Sequence, residues 1–399
     1  MIEDLNNNED IIAMCDIIKN DLINTLNTYK EEVIQKLDNT INNFYETFTN
    51  QIDDYTNAIE NKVIKFDIKK LKSPRLVKLP KTNDTNFLIN LILQCLCNIK
   101  PLILYFLNPE KEEKIFKKSR EDKTGTYLSP QFFDLIINVY KRSNNVYNPI
   151  KLHDKLKKLM NDDYNSDNPG TIIKFIIDQL HKELKNNESS SEDPEFNIDK
   201  KSAFNIYRCN FSVNLSKISE EFYSSIKIII TSKEGQQKYL YEAISVFDLN
   251  LSNSKKENLD LKKDFKVLFI DKDIKEKYCK NNEEFNTKET KTISNVFIIN
   301  INRNKDQKQY LEYPFNLQDI DLIEQKYNNI REFELKGVII IKNINNENIY
   351  YAYIKSFVNK KWYLFDDNNI ELVEDENKVI DKENASLLIY KHIQNNTIY

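Results

Sequence analysis

The chain has 399 residues, of which 40% are hydrophobic and 30% charged, with a formal net charge of −4. This size and composition suit two ordinary domains, or one large domain with an extension, and exclude wholesale disorder. The lack of a basic excess argues against direct nucleic-acid binding, and the four glycines form no phosphate-loop motif, which excludes nucleotide binding by those routes.

An apolar stripe runs through residues 10–65. Its fifteen side chains, from Ile11 to Val63, are separated by fourteen steps over 52 residues, about 3.7 residues a step. This spacing is nearer to an 11-residue repeat than to a heptad and predicts a nearly straight helical rod. The rod either folds back as a hairpin, lies along its own domain, or docks on a partner. We therefore assign 1–66 as a long helical segment and a candidate docking element.

Residues 67–82 are basic, contain two prolines and predict a linker. Residues 83–399 then predict an α+β domain, with a helical part at 83–185 and a β-rich part at 203–399. Helices are expected at 87–107, 130–140 and 172–184, strands at 226–231, 296–301, 335–341, 350–356, 362–365 and 387–390, and loops at 186–202, 250–264 and 302–310. The apolar run 87–107 carries several polar residues and a proline, so we predict a buried core helix and no membrane span.

The five cysteines are few, odd in number and scattered, which indicates a reducing compartment rather than a disulfide framework. The N-terminus, MIEDLNNNED, is acidic and polar and shows no signal peptide. These features predict a cytoplasmic or nuclear protein.

A series of segments resembles, in order, the boxes of the ubiquitin-specific protease family of cysteine peptidases. TNDTNFLINLILQCL (82–96) resembles N-x-G-N-T-C-Y-x-N-S-x-L-Q-C-L, and NPGTIIKFIIDQLHKEL (168–184) resembles the Q-D-A-x-E-F-L helix. The later boxes are matched by ISNVFIININR (293–303), YPFNL (313–317), FELKGVIII (333–341), IYYAYIKSFVNKKWYLFDD (349–367) and ASLLIYKH (385–392). The resemblance implies a hand-like α+β domain, with a helical thumb, a mixed palm and β-rich fingers that grip ubiquitin.

A thiol peptidase needs a thiolate at a helix N-terminus, an imidazole to pair with it, a group that orients the imidazole, and an oxyanion donor. In the resemblance the nucleophile falls on Phe87, the base on Ile349 and the oxyanion asparagine on Thr82. Only the orienting acid is kept, as Asp366, for which a turn or capping role is the plainer expectation. The catalytic set is therefore degenerate.

No other residue replaces the missing pair. Cys95 and Cys97 lie two to three turns further along the same helix, where cysteines are usually inert core residues. His153 sits among lysines in a polar helix, His181 occupies a position that the family fills with histidine for structural reasons, and His392 follows the last strand. We predict that the two apolar side chains at the nucleophile and base positions fill the vacated cleft and that hydrolase activity is lost.

The family's zinc knuckles, two C-x-x-C pairs that together supply four ligands, are also degenerate. The first pair begins with Cys209 and ends in Ser212, and the second begins with Cys279 and ends in Asn282. Each pair keeps one cysteine, so no Cys₄ site is expected, and both cysteines are predicted to pack at strand ends. No metal and no cofactor are predicted.

The sequence thus predicts a catalytically inactive member that acts as a protein-binding scaffold, with ubiquitin or a large complex as its partner. A gripped ubiquitin tail would pass through a narrow channel beside the nucleophile, which Phe87 would close. Two alternatives remain: a divergent deubiquitinase with an unaligned nucleophile, and a subunit of a larger assembly with no ubiquitin contact.

Overall fold

The computed structural model describes residues 14–40, 76–82, 85–108, 111, 115–116, 126–140, 145–185, 199–232, 235–269, 283–303, 308–319, 330–345, 347–366 and 369–393. The chain divides into two units, Met1–Lys70 and Leu71–Tyr399. In the first unit, residues 14–40 form helix α1, as expected for a stretch without glycine or proline. The rest of the predicted rod lies outside the described residues.

The second unit holds an α+β domain, as predicted. Its described helices are α2 (Phe87–Leu96), α3 (Lys100–Leu107), α4 (Ser129–Tyr140), α5 (Ile150–Met160), α6 (Pro169–Leu184), α7 (Lys200–Val213), α8 (Lys217–Phe222) and α9 (Leu261–Leu268). Its described strands are β1 (Ser224–Ser232), β2 (Gln237–Ile244), β3 (Phe247–Asn250), β4 (Asn258–Asp260), β5 (Glu283–Thr292), β6 (Val296–Asn302), β7 (Tyr310–Glu312), β8 (Asn316–Gln318), β9 (Glu332–Ile344), β10 (Glu347–Lys355), β11 (Trp362–Phe365), β12 (Ile370–Leu372) and β13 (Ala385–His392).

An eight-stranded sheet forms the centre of this domain. Its order is β12-β11-β10-β9-β13-β6-β3, with β8 paired to β9 outside that path. Among its described strand pairs, only β3 and β6 run parallel. A second sheet has the order β2-β1-β5, and β4 pairs with β7. Five of the six predicted strands lie within strands of this architecture, and the sixth, 350–356, extends one residue beyond the end of β10.

Alternate residues of the central sheet face two clusters of buried side chains. Ile339, Ala352 and Ile354 belong to the helical cluster, which is formed with α2–α6. Val338 and Ile340 belong to the far cluster, which includes residues of β1 and α9. Because side chains alternate along a strand, a run such as VIII in β9 serves both clusters.

The predicted helix 87–107 is two helices, α2 and α3, bent by 84°. Pro101 stands in the first turn of α3 and has no N–H to donate to the carbonyl of Cys97, so a continuous helix loses a bond there. The hydroxyl of Tyr140 donates to that carbonyl instead. Across the described helices, none alone combines the length and apolarity of a membrane span, and α2 with α3 meets the test only as this bent pair.

Residues 76–82, predicted as the end of a linker, are packed against the domain. Val77 and Leu79 are buried, and Lys78 forms an isolated bridge with Val146. The amide of Gln94 donates to the carbonyl of Val77 at 2.6 Å. The linker prediction is therefore wrong for this stretch, because its alternate apolar residues extend the helical cluster.

Two further expectations are corrected. The region from 203 onward begins with α7 and α8 rather than with strands, and the predicted loop 250–264 contains β4 and the start of α9. A helical pattern was present in the sequence of α7, because Asp199 caps its first turn and Phe204, Tyr207 and Phe211 recur three and four residues apart with their rings in contact.

Candidate functional site

The position predicted for the nucleophile is the first residue of α2. Asn86 caps this helix, since its side-chain oxygen accepts from the backbone N–H groups of Leu88 at 2.9 Å and Ile89 at 3.4 Å. Phe87 follows the cap, is 8% exposed and belongs to the helical cluster. The helix N-terminus that a thiolate would use is therefore formed, but its first side chain is a buried hydrocarbon.

A buried polar network lies behind this helix start. His153 is fully buried, and its Nδ1 and Nε2 lie 2.7 Å from the Tyr164 hydroxyl and from Asn90 Oδ1, respectively. The amide of Asn90 donates to the carbonyl of Pro80 at 3.0 Å, so Asn90 Oδ1 accepts from Nε2–H. The Tyr164 hydroxyl then donates to Nδ1 and accepts the backbone N–H of Asn86 at 3.2 Å. Each polar atom of this buried network thus has a defined role as donor or acceptor.

The expectation that His153 is one polar residue among lysines is therefore wrong. The sequence contained the contrary pattern, because His153, Leu156 and Met160 fall on one helical face at spacings of three and four and are all buried. Burial lowers the pKa of His153 to about 4. The imidazole is neutral at physiological pH and serves the fold beneath α2.

The position predicted for the base lies on β10 and has a different environment. Ile349 is 46% exposed. Strand alternation places it with Tyr351, which packs on the far cluster, whereas Tyr350 packs on the helical cluster. The prediction that Phe87 and Ile349 together fill a cleft is thus wrong, because only Phe87 is buried.

The carboxylate of Asp167, in the segment before α6, binds the two residues of β10 that flank Ile349 in sequence. Asp167 accepts from the Tyr350 hydroxyl at 2.6 Å and from the Asn348 amide at 3.1 Å. Burial and the bond to Asp167 raise the pKa of Tyr350 to about 12. We call these three residues the Asp167 bridge. It links the segment before α6 to β10 beside the position assigned to the base.

The remaining two predicted positions form turns. Asp366 accepts the backbone N–H of Asn369 at 2.6 Å between β11 and β12, in agreement with a turn role. Thr82 donates its backbone N–H to the Thr85 hydroxyl at 3.1 Å, which shapes the approach to α2. Both side chains have local structural functions.

The chain matches the model of the family described as ubiquitin carboxyl-terminal hydrolase over residues 81–390. It belongs to that family. No curated protein matches the sequence. The structure resembles a chain of the yeast SAGA DUBm with a mutant Sgf73, at 18% identity and a TM-score of 0.55, covering 85% of this chain and 75% of that one. It also resembles a chain of the Ubp8–Sgf11–Sgf73–Sus1 SAGA DUB module, at 18% identity and a TM-score of 0.51, covering 86% and 75%.

The family's L-Q-C-L segment serves packing in this hydrolase-like domain. Cys95 and Cys97 are buried, and burial raises the pKa of Cys95 to about 12 and that of Cys97 still further above its ordinary value. Cys95 faces β9 at Gly337, where an added Cβ would lie 3.4 Å from its sulfur. Such thiols stay protonated and out of contact with solvent.

Three residues of the family's α6 segment also have structural partners. The carboxylate of Glu183 accepts the backbone N–H groups of Leu128 and Ser129 at 2.6 and 2.7 Å, at the start of α4. His181 Nδ1 lies 2.7 Å from the Ser216 hydroxyl, and Asp178 accepts from Tyr223 at 2.6 Å. These three residues, which match the family motif, thus connect α6 to the start of α4 and to both ends of α8.

The start of α6 lies unusually close to the central sheet. The backbone N–H of Gly170 donates to Asn300 Oδ1 at 3.1 Å. A Cβ at Gly170 would lie 2.2 Å from Asn300 Cγ. Only glycine allows this approach between α6 and β6.

The vestigial knuckle residues do not form a metal site where they are described. Cys209 is exposed within α7, and the Ser212 hydroxyl donates to the Cys209 carbonyl at 2.9 Å. The predicted strand-end packing of Cys209 is therefore wrong, because the segment is a helix. Cys279 and Asn282 lie outside the described residues. Among the residues that the structure describes, no cluster of three or more His, Cys, Asp or Glu suits a metal.

A shallow pocket of about 350 Å³ lies along α6, apart from the predicted site. Its charged lining is mixed, with Asp163, Asp178 and Asp248 beside Lys174 and Lys182. Lys174 already pairs with Asp178 at 2.7 Å. This lining favours no single class of ligand.

Proposed function

We propose that this chain is a catalytically inactive member of the ubiquitin carboxyl-terminal hydrolase family that acts as a protein-binding scaffold. The observation that carries the proposal is Phe87, a buried phenyl group at the first residue of α2. The family resemblance assigns the nucleophile to that residue. A phenyl ring has no atom that can form the covalent intermediate of a thiol peptidase.

The buried thiols on the same helix do not supply a substitute. Cys95 lies eight residues beyond Phe87, about 12 Å along the helix axis. Its pKa of about 12 keeps it protonated at neutral pH. A nucleophilic cysteine needs the opposite conditions, with access to substrate and a lowered pKa.

The histidine nearest to α2 is equally unsuited to act as the base. Both ring nitrogens of His153 are engaged, by Tyr164 and by Asn90. A general base needs one free nitrogen within hydrogen-bond reach of the nucleophile and a pKa near the working pH. Neither condition holds for this imidazole.

The Asp167 bridge supports a binding role that does not use the former channel. It ties the entry of α6 to Asn348 and Tyr350, the two neighbours of the position expected for the base. A peptide tail reaching α2 along β10 would have to displace these hydrogen bonds. We infer that the outer surface of the domain, rather than the channel, makes the functional contacts.

The similar solved structures favour action within an assembly. They are DUB modules that contain Ubp8 together with Sgf11, Sgf73 and Sus1. By analogy we propose that this chain works as one subunit of a multi-protein, nuclear complex. This role takes one of two forms. In one, the chain binds ubiquitin without cleaving it; in the other, it makes no contact with ubiquitin.

Incubation of the full chain with ubiquitin carrying a C-terminal electrophile tests the loss of chemistry. We expect no covalent adduct by mass spectrometry, under conditions in which an active family member is fully modified. The Phe87→Cys variant, which places a thiol at the capped start of α2, is the matched comparison. An adduct on any cysteine of the wild-type chain would overturn the proposal in favour of a divergent deubiquitinase.

Titration of ¹⁵N-labelled ubiquitin with the full chain then separates the two scaffold forms. Shifts without cleavage support a scaffold that holds ubiquitin. Unchanged spectra, together with a stable set of co-purifying proteins, support an assembly subunit without ubiquitin contact. A chain that neither binds ubiquitin nor co-purifies with any protein contradicts the scaffold role.

A further inference from the structure

Three lysines gather around one carboxylate at one end of the central sheet. Lys336 lies in β9, Lys355 is the last residue of β10, and Lys360 stands in the turn before β11. The ammonium groups of Lys336 and Lys355 contact the two oxygens of Glu334, that of Lys355 at 2.9 Å. The side chains of these two lysines are each 15% exposed, and that of Glu334 is 25% exposed. We call these four residues the basic cluster.

The basic cluster carries more positive than negative charge. Three ammonium groups and one carboxylate leave an excess of two positive charges, in a chain whose net charge is −4. Burial lowers the pKa of Lys336; Glu334 opposes this shift, and the charges of Lys360 and Lys355 add to it. Among the described residues, no second carboxylate pairs with Lys336 or Lys355. The excess is therefore held in a partly desolvated place, where it attracts an anion more strongly than exposed charges would.

The charges that adjoin the basic cluster do not cancel this excess. Towards β13 they are Lys391, which lies opposite Glu334, and Glu332. Towards β12 they are Lys361 and Glu374. Each side thus adds one positive and one negative charge, and the local excess stays with the cluster.

The turn around Lys360 gives no backbone reason for a lysine. The N–H of Lys360 donates to the carbonyl of Ser356 at 3.0 Å, and the N–H of Ser356 donates to the carbonyl of Lys361 at 2.9 Å. Lys360 has a φ of 61°, a left-handed conformation that glycine adopts freely and other residues only with strain. Glycine would therefore suit the turn better. The contribution of Lys360 lies in its side-chain charge.

We propose that the basic cluster binds the phosphate group of a phosphorylated side chain in a partner protein. Such a group carries up to two negative charges at neutral pH and three acceptor oxygens, which match the charge excess and the number of lysines. Because one carboxylate already spans the ammonium groups of Lys336 and Lys355, a group of similar size can span them too. That the phosphate belongs to a protein rests on the proposed scaffold role.

The size of the basic cluster favours this ligand over an extended polyanion. Nucleic acids and anionic membranes are bound by basic residues that are spread over a wide surface. Here the positive excess is confined to three side chains, and a carboxylate follows on each side, at Glu332 and at Glu374. A compact dianion fits this arrangement.

The single tryptophan of the chain can report binding. Trp362 lies opposite Lys355, whose ammonium is 5.6 Å from the centroid of its ring. We would titrate the full chain with the peptide Gly-Gly-pSer-Gly-Gly and follow its fluorescence and, separately, the heat of binding. We expect saturable binding of this peptide, at least about tenfold weaker binding when glutamate replaces phosphoserine, and none when serine does.

Four variants separate binding from stability. Lys336→Gln should weaken phosphopeptide binding at least about tenfold, whereas Lys342→Gln, at an exposed position of the same strand, should leave it unchanged. Lys360→Gly should weaken binding without lowering stability to urea, because it relieves the left-handed backbone. Glu334→Gln should strengthen binding, because it removes a negative charge beside the phosphate. A purely structural ion network predicts no gain of binding from that change.

Four results would overturn the proposal. The first is the absence of both a fluorescence change and heat with the phosphopeptide, and the second is equal binding by wild type and Lys336→Gln. Inorganic phosphate that binds as tightly as the phosphopeptide would assign the cluster to a free oxyanion. Co-sedimentation with phosphatidic acid vesicles that depends on Lys336, without phosphopeptide binding, would assign it to a membrane. None of these results changes the ubiquitin titration or the co-purifying proteins, which test the scaffold role separately.

Discussion

The two positions that the family resemblance assigns to the nucleophile and the base have different environments. At the start of α2, Phe87 is buried and is supported by a hydrogen-bonded chain through Tyr164, His153 and Asn90. On β10, Ile349 is nearly half exposed and contributes to neither buried cluster, and only its neighbours are held, by Asp167.

This difference shows where packing constrains the two assigned positions. The helix end carries a cap and a core position, so the side chain at the position assigned to the nucleophile has to pack. The strand end lies at the surface, so the side chain at the position assigned to the base has no such requirement. Substitution at the start of α2 should therefore change the unfolding free energy much more than substitution at this end of β10.

The largest contrast is expected between Phe87→Ala and Ile349→Ala. Removing the phenyl group leaves a cavity in the helical cluster and should cost about 3 kcal/mol of unfolding free energy. Removing the exposed Ile349 side chain should change it by less than about 0.5 kcal/mol. Urea denaturation of both variants measures this. Equal effects would mean that the strand end is as constrained as the helix end.

The buried imidazole should give the next largest effect, as a dependence of stability on pH. The folded-state pKa of His153 is lowered to about 4 from 6.5, so the unfolded chain binds the proton first as pH falls. Its contribution is complete above pH 6.5 and is lost on acidification towards pH 4, amounting to about 2 kcal/mol between pH 6.5 and 5.

The variant His153→Gln isolates the contribution of His153 to the pH dependence of the unfolding free energy. Denaturation curves of variant and wild type at pH 7 and pH 5 should show a smaller pH-dependent loss in the variant. His392, whose pKa is also lowered by burial to about 4, titrates in both proteins and cancels in the comparison. An identical loss would mean that His153 accepts a proton in the folded state.

A smaller effect is expected from the Asp167 bridge. Because Asp167 is exposed, Asp167→Ala should lower the unfolding free energy by only about 0.5–1 kcal/mol. Backbone hydrogen exchange should nevertheless rise several-fold within β10 and at the entry of α6, while Asp162→Ala, an exposed neighbour in the same segment, serves as the control. Unchanged exchange in β10 would show that the bridge does not restrain it.

The smallest effect is expected at Asp366, the position that the family resemblance assigns to the orienting acid. Asp366→Asn retains the oxygen that accepts from Asn369, so stability should change by less than about 0.5 kcal/mol. Ubiquitin binding and the set of co-purifying proteins should also be unchanged. A selective loss of either would show that the carboxylate charge has a function beyond the turn.

The sequence predicted those parts of the fold that depend on local patterns of apolar residues. The runs of β6, β9 and β13 are apolar enough to indicate buried strands, and the apolar stretches of α4 and α6 indicate helices. The positions assigned to the nucleophile, the base and the orienting acid rest on the family's motif order. The helix α7 was missed because the match of Cys209 to a zinc knuckle was given more weight than the helical spacing of Phe204, Tyr207 and Phe211.

The polar contacts around the site could not be predicted. Asp167 and Tyr350 are 183 residues apart in sequence, and His153 is 63 residues from Asn90. Nothing in the local pattern of either segment specifies such a partner, because the fold alone brings these segments together. The difference in burial between Phe87 and Ile349 could not be predicted for the same reason, because it too depends on segments that only the fold brings together.

The contact between Gly170 and Asn300 has a consequence for how this domain can diverge. The separation of the helical layer from the palm sheet is set there by a missing methyl group and one amide, since a Cβ would lie 2.2 Å from Asn300 Cγ. Apolar side chains between the layers can be enlarged or trimmed with local repacking. The layer spacing at this contact cannot follow, so substitutions elsewhere between the layers leave the distance between α6 and β6 unchanged.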